Sequence, residues 1–201
     1  MIRNFPLAAI GLALAACSQG DPVADVPVLD EAAVREASAP VAQAFTSALQ
    51  AQLATALGEG GRMQAVEVCH AEAPRIAAEQ SEASGAQVTR ISDRNRNPAG
   101  AVSVDIAPHY AELLEAPLVD GAPANRIWLS GEGEEARVNF LSAIPMREQP
   151  CSVCHGTDID PALQARIAEL YPDDLATGFE PGELRGALLV SWPAEMFADA
   201  S

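Results

Sequence analysis

The sequence predicts an α+β domain, and three observations carry that prediction. Two long amphipathic helical patterns open the chain, strand patterns dominate its later half, and neither a regular βαβ alternation nor an internal repeat connects them. With 201 residues, about half of them apolar, there is room for one hydrophobic core and not for two.

The first helix is expected over Asp30 to Leu57, where Val34, Val41, Phe45, Leu49 and Leu53 recur at helical intervals, and Gly58 to Gly61 ends it. A second helix runs from Met63 to Ser81 and closes at Gly85. Ala86 to Ser92 alternates as a strand does, and Asp93 to Pro98 follows as a loop of turn-forming residues. Asp105 to Leu114 reads as a short helix stopped by Pro117. Asn125 to Ser130 and Ala136 to Ile144 read as paired strands joined by the turn at Gly131 to Glu134. Pro145 to Pro150 forms an extended loop. Pro161 to Leu170 makes a helix capped by Asp160 with proline in its first turn, Tyr171 to Asp174 breaks it, and Arg185 to Trp192 supplies the last strand.

The N-terminus reads as an address. Arg3 gives a short positive region, Phe5 to Ala16 an apolar stretch, and Leu14-Ala15-Ala16-Cys17 closes it in the manner of a bacterial lipoprotein signal. A spanning anchor needs roughly 20 apolar residues, more than this run contains. Residues 1–16 are therefore expected to be a signal peptide, Cys17 a lipidation site and 17–29 a flexible tether, ahead of a domain at 30–196. The expected location is the periplasmic side of a bacterial membrane, held by lipid. Ser18 resembles the residue that follows the cysteine in outer-membrane lipoproteins.

The surface chemistry narrows the partners. Twelve basic residues, all arginine, face 28 acidic ones. Such a surface repels a phosphate backbone and anionic headgroups, which excludes nucleic-acid partners and leaves solubility as the first use of the charge.

Exported proteins spend cysteines on disulfides or cofactors, and four are present. With Cys17 assigned to lipid, Cys151-Ser152-Val153-Cys154-His155 has the spacing of c-type haem attachment. In that chemistry two thiols add to the two vinyl groups, and the adjacent imidazole, His155, then lies under the iron as proximal ligand. A structural zinc site would need four ligands, usually as two spaced pairs, and no second pair is present. A thioredoxin-like motif would sit at a helix start after a strand, whereas this one follows the Pro145 to Pro150 loop. One covalent haem c is the expected cofactor. Its motif lies in the last third of the chain, unlike the short helical cytochromes that carry it near the N-terminus.

The second axial ligand stays open on spacing. Val66, Cys69, Ala73 and Ile76 share one helix face and His70 lies at its edge, so that Cys69 and His70 are comparable candidates, ahead of Met63, His109 and Met146. Arg90, Arg94 and Arg96 are candidate contacts for the haem propionates. Tyr171 and Asp174 are assigned to packing and capping.

Four segments carry a specific resemblance: Glu67 to Pro74; Val88 to Ser92 with Arg96-Asn97-Pro98; Ile144-Pro145-Met146 through Cys151 to Gly156; and Tyr171 to Ala176 with Gly178-Phe179 and Gly182 to Gly186. Together, over Ala32 to Trp192, they resemble a family of extracytoplasmic c-type haem domains, long labelled a domain of unknown function. Its members occur as stand-alone proteins and as sensory parts of membrane histidine kinases. The resemblance implies a PAS-like fold, a central antiparallel sheet behind long N-terminal helices with a C-terminal haem-attachment loop. It also implies iron held between the motif histidine and a helix cysteine, here Cys69.

The function expected is non-enzymatic. It is redox or small-ligand sensing, with a diatomic gas as a candidate ligand and a separate redox or signalling protein as partner. The alternative is mono-haem electron transfer, which needs ligands that stay in place. A peroxidase would need an acid/base pair, and His70 is the only residue in sight for it.

Overall fold

The structure, a computed structural model, describes residues 29–197. The expected signal peptide, the lipidation site Cys17 and the tether as far as residue 28 lie outside the described residues.

Helix α1 spans Glu31–Glu59 and starts where Asp30 accepts from the backbone N–H groups of Ala32 and Ala33, at 3.0 and 3.1 Å. Helix α2, Gly61–Ser84, begins almost without interruption and ends on Gly85, whose φ of 81° suits a residue without a side chain. Both run a turn or less beyond the expected ends. Pro40 and Pro74 sit inside them, tolerated because the tertiary packing of long apolar faces outweighs a missing backbone bond. Then come β1 (Gln87–Ile91), α3 (Ala107–Glu115), β2 (Leu118–Val119), β3 (Ala122–Pro123), β4 (Asn125–Ser130), β5 (Arg137–Pro145), α4 (Ser152–His155), α5 (Pro161–Leu170) and β6 (Leu184–Pro193).

Four strands form one antiparallel sheet in the order β1-β6-β5-β4. One face, with Val88, Val138, Phe140, Leu188, Val190 and Trp192, packs on Val34, Phe45 and Leu49 of α1 and Ile76 of α2. A buried hydrogen bond from Trp192 Nε1 to Ser38 Oγ, 2.9 Å, pins α1 to the sheet. The other face, with Ile91, Leu141, Ala143 and Ala187, is covered by Tyr110 and Leu113 of α3. Long N-terminal helices against a central antiparallel sheet are the α+β arrangement expected from the sequence.

Two local features differ from the expectation. Pro117 is followed by the small hairpin β2–β3, with Asp120 and Gly121 at φ 51° and 79°. The Asp-Gly pair that favours such a turn was present in the sequence. The attachment motif, expected in a loop, closes into the single helical turn α4 because the Ser152 N–H bonds the Glu148 carbonyl at 3.0 Å and the His155 N–H bonds the Cys151 carbonyl at 3.0 Å. None of the described helices is long and apolar enough to cross a membrane.

Candidate haem site

A cavity of about 460 Å³ opens between α2, β1, the loop after it, α4 and the start of β6, within the size range of small-molecule and cofactor sites. Val66, Cys69, His70 and Ala73 line it from α2, and Cys154 and His155 line it from α4. The helical turn of α4 carries the motif's chemistry on one short element, since residues three and four apart share a side. Cys151, at its start, packs with Met146, Ala176 and Phe179. Pro74, also in the wall, has no N–H to give to the His70 carbonyl one turn back.

The motif is tied down by the segment after α5. Phe179 N–H donates to the His155 carbonyl at 2.9 Å and Gly178 N–H to the Gly156 carbonyl at 2.8 Å. His155 Nδ1 lies 2.7 Å from the Ala176 carbonyl. A carbonyl can only accept, so Nδ1 carries the proton and Nε2 keeps the lone pair. Burial, then the charges of Arg185, Arg96 and Arg90, push the imidazole pKa well below its ordinary value. His155 is therefore a neutral, oriented imidazole, the form in which histidine binds a metal.

Cys69 and His70 are adjacent in sequence and differ in surroundings. Cys69 is largely enclosed. Burial raises its thiol pKa, while Arg90, Arg96 and Arg185 act in the opposite direction and favour the thiolate. His70 is exposed at the rim, edge-on to Tyr171 with ring centroids 4.9 Å apart. The other candidates do not line the cavity: Met63 is exposed, His109 stacks on Trp128 at 3.9 Å, and Met146 is buried behind Cys151.

The arginines divide by what they already hold. Arg96 is buried and makes a bidentate pair with Asp174, Nε to Oδ1 at 3.0 Å and Nη2 to Oδ2 at 3.1 Å. Its Nη2 also donates to the carbonyls of Cys154, 2.7 Å, and Ala176, 3.2 Å. It locks the motif to the 174–176 turn. Arg94 is outside the cavity wall: it bonds the Thr177 carbonyl, lies 3.7 Å from Glu183 and sits over the Phe179 ring. Arg90 lines the cavity and, among the described residues, has no carboxylate partner. Sequence reasoning missed Arg185, which is buried and lines the same wall. An arginine at the start of a strand looks like any edge residue, and what turns it inward is a bulge. Tyr171 and Asp174 do more than pack and cap: one lines the cavity, and the other both accepts from the Ala176 N–H at 2.9 Å and holds Arg96.

No curated protein matches the chain. Among solved structures it is similar to one described as the cyanobacterial heme-protein Tll0287, with a TM-score of 0.58 and 24% sequence identity over 81% of this chain and 94% of the other. At that identity the likeness shows the fold. A family model, Tll0287-like, matches residues 26–193, which is most of the chain and includes the whole cavity wall. The chain belongs to the Tll0287-like family.

Proposed function

We propose that this protein holds one covalent c-type haem in the cavity between α2 and α4, with His155 and Cys69 as the residues that would bind its iron, and serves in redox or small-ligand sensing. The observation that carries the reading is the meeting of Cys69, from α2, with Cys154 and a neutral, carbonyl-oriented His155, from α4, in the lining of one cavity. The solved relative, a cyanobacterial heme-protein, supports it. So does the donor set: one thiol and one imidazole suit an iron whose other ligands come from a porphyrin, and the pair Cys151 and Cys154 has the attachment spacing.

When bound, haem supplies an iron that changes oxidation state and takes up small ligands. Cys151 and Cys154 anchor it, and the Arg96–Asp174 pair keeps their helical turn in place. Cys69 would favour ferric iron as a thiolate and would be the poorer ligand as a thiol. Because Cys69 rides on α2, which packs along α1 and against α5, its release would alter how the N-terminal helices are held. The same reading has the protein lipid-anchored through Cys17 on the periplasmic side and passing its signal to a separate protein.

Acid-acetone extraction tests the first part: haem stays with the wild-type protein and is lost to the solvent from Cys151→Ser or Cys154→Ser. Quantitative extraction from the wild type sinks the reading. Spectra of both oxidation states, with and without carbon monoxide and nitric oxide, test the second. Gas binding to the ferrous protein supports sensing, and ligands that stay in place through repeated reduction replace it with electron transfer.

A further inference from the structure

Arg185 is the one side chain among the described residues with a buried nitrogen, Nε, that has no hydrogen-bond partner. Its position is built. Between Ile144 and Pro145 of β5 the register jumps from Gly186 to Leu184, leaving Arg185 as the extra residue of a β-bulge in β6. Gly186 makes the bulge possible, because with its φ of 155° a Cβ there would come within 2.7 Å of the Ile91 carbonyl oxygen. Ser92 Oγ fixes the bulge by donating to the Arg185 carbonyl at 3.1 Å. One strand over, Arg90 of β1 faces Leu188 in register and lines the same cavity.

The charge balance of the wall is unusual for this chain. Three guanidinium groups, Arg90, Arg96 and Arg185, meet there, and Asp174, already bonded bidentately by Arg96, is the carboxylate among them. Arg90 and Arg185 have no carboxylate partner among the described residues, in a protein of net charge −16. Buried ions are kept where they find a counter-ion, and guanidinium is the group whose fork matches a carboxylate. We infer that Arg185, seated by the β6 bulge, and Arg90 form a carboxylate-binding subsite that receives the two haem propionates. The inference rests on the haem reading above: of the three arginines that the sequence offered, Arg90, Arg94 and Arg96, it keeps Arg90 and puts Arg185 in place of the other two, which are engaged elsewhere. Arg185 and Arg90 are in this sense positioning residues: they would hold the haem by its carboxylates.

The test is resonance Raman spectroscopy of the intact haem-loaded protein, reading the propionate bending mode, which responds to hydrogen bonding at the carboxylates. Mass spectrometry of each variant reports covalent haem and thermal unfolding reports the fold. In Arg185→Met the mode should shift as it does on loss of a hydrogen bond, and in Arg185→Lys by less, because the charge stays while the fork is lost. Arg90→Met should shift it too, and supplies the reading if Arg185→Met fails to fold. An unchanged mode in folded, haem-loaded Arg185→Met overturns the inference and leaves the haem reading intact. So does a change confined to the iron–ligand bands, which would make Arg185 a partner of the Cys69 thiolate. Absence of covalent haem from the wild type overturns the haem reading and takes this inference with it.

Discussion

Cys69 and His70 occupy successive positions on α2, and what separates them is what their neighbours do to charge. The thiol is enclosed, which raises its pKa, and three guanidinium groups nearby act in the opposite direction, whereas the imidazole stands at the rim against Tyr171. Cys69→Ala is therefore expected to retain covalent haem, to convert low-spin ferric iron to a different spin state almost completely, and to raise the reduction potential. His70→Ala should leave the ferric spectrum near wild type. Electron paramagnetic resonance and potentiometry on the two variants decide between them, and the reverse pattern makes His70 the ligand. A residue on the other face of the sheet carries a separate prediction, about stability. Tyr110 is buried on α3 and donates to Asp93 Oδ1 at 3.0 Å, and burial pushes its hydroxyl up to about 12. The folded state thus keeps a proton that the unfolded chain releases near pH 10, so the proton binding favours folding less as pH rises. The stability difference between wild type and Tyr110→Phe should be constant below about pH 10. It should shrink by on the order of 2 kcal/mol towards pH 12, as read from urea unfolding across that range.

Periodicity and capping made the large elements legible: the apolar row of α1, Asp30 before it, Gly85 after α2 and Asp160 before α5 all stand at the ends that the structure adopts. The attachment motif was legible for the same kind of reason, as a local spacing. What was not legible depends on contacts between distant segments. The Ala176 carbonyl that sets the His155 tautomer lies 21 residues downstream, and the Arg96–Asp174 pair spans 78. The bulge that turns Arg185 inward exists only because Gly186 passes close to the Ile91 carbonyl. A methyl at Gly186 would meet that oxygen, and Gly186→Ala should destabilise the fold by about 1–3 kcal/mol, the range of backbone strain at a special φ. Chemical denaturation measures the loss, and an unchanged midpoint means that the bulge relaxes freely. Asp174→Ala strands the buried Arg96 guanidinium and should cost about 3–5 kcal/mol. Faster hydrogen exchange at residues 152–156 than at α1 would locate the damage in the turn that Arg96 holds.

On the scale of the whole molecule, charge and hydrophobicity restrict how the protein can stay at a membrane. The chain carries a net charge of −16, and six of the eleven arginines among the described residues are held in ion pairs. Anionic headgroups repel such a surface, so electrostatic adhesion is not available. Among the described residues no helix is long and apolar enough to span the bilayer. On the reading proposed above, retention comes from acyl chains, each buried methylene contributing about 0.8 kcal/mol, with more than one chain needed for stable anchoring. Cys17, following Leu14-Ala15-Ala16, is the residue with the sequence context to receive them. The wild-type protein should accordingly remain with the membrane fraction through a high-salt wash and leave it only in detergent. Cys17→Ser should be recovered in the soluble periplasmic fraction with its haem still attached, because the residues that line the cavity run from Val66 to Arg185 and do not include Cys17. Release of the wild type by salt would point to a charged partner in place of lipid, and a mature wild-type protein that still carries residues 1–16 would remove the lipid anchor from the account altogether.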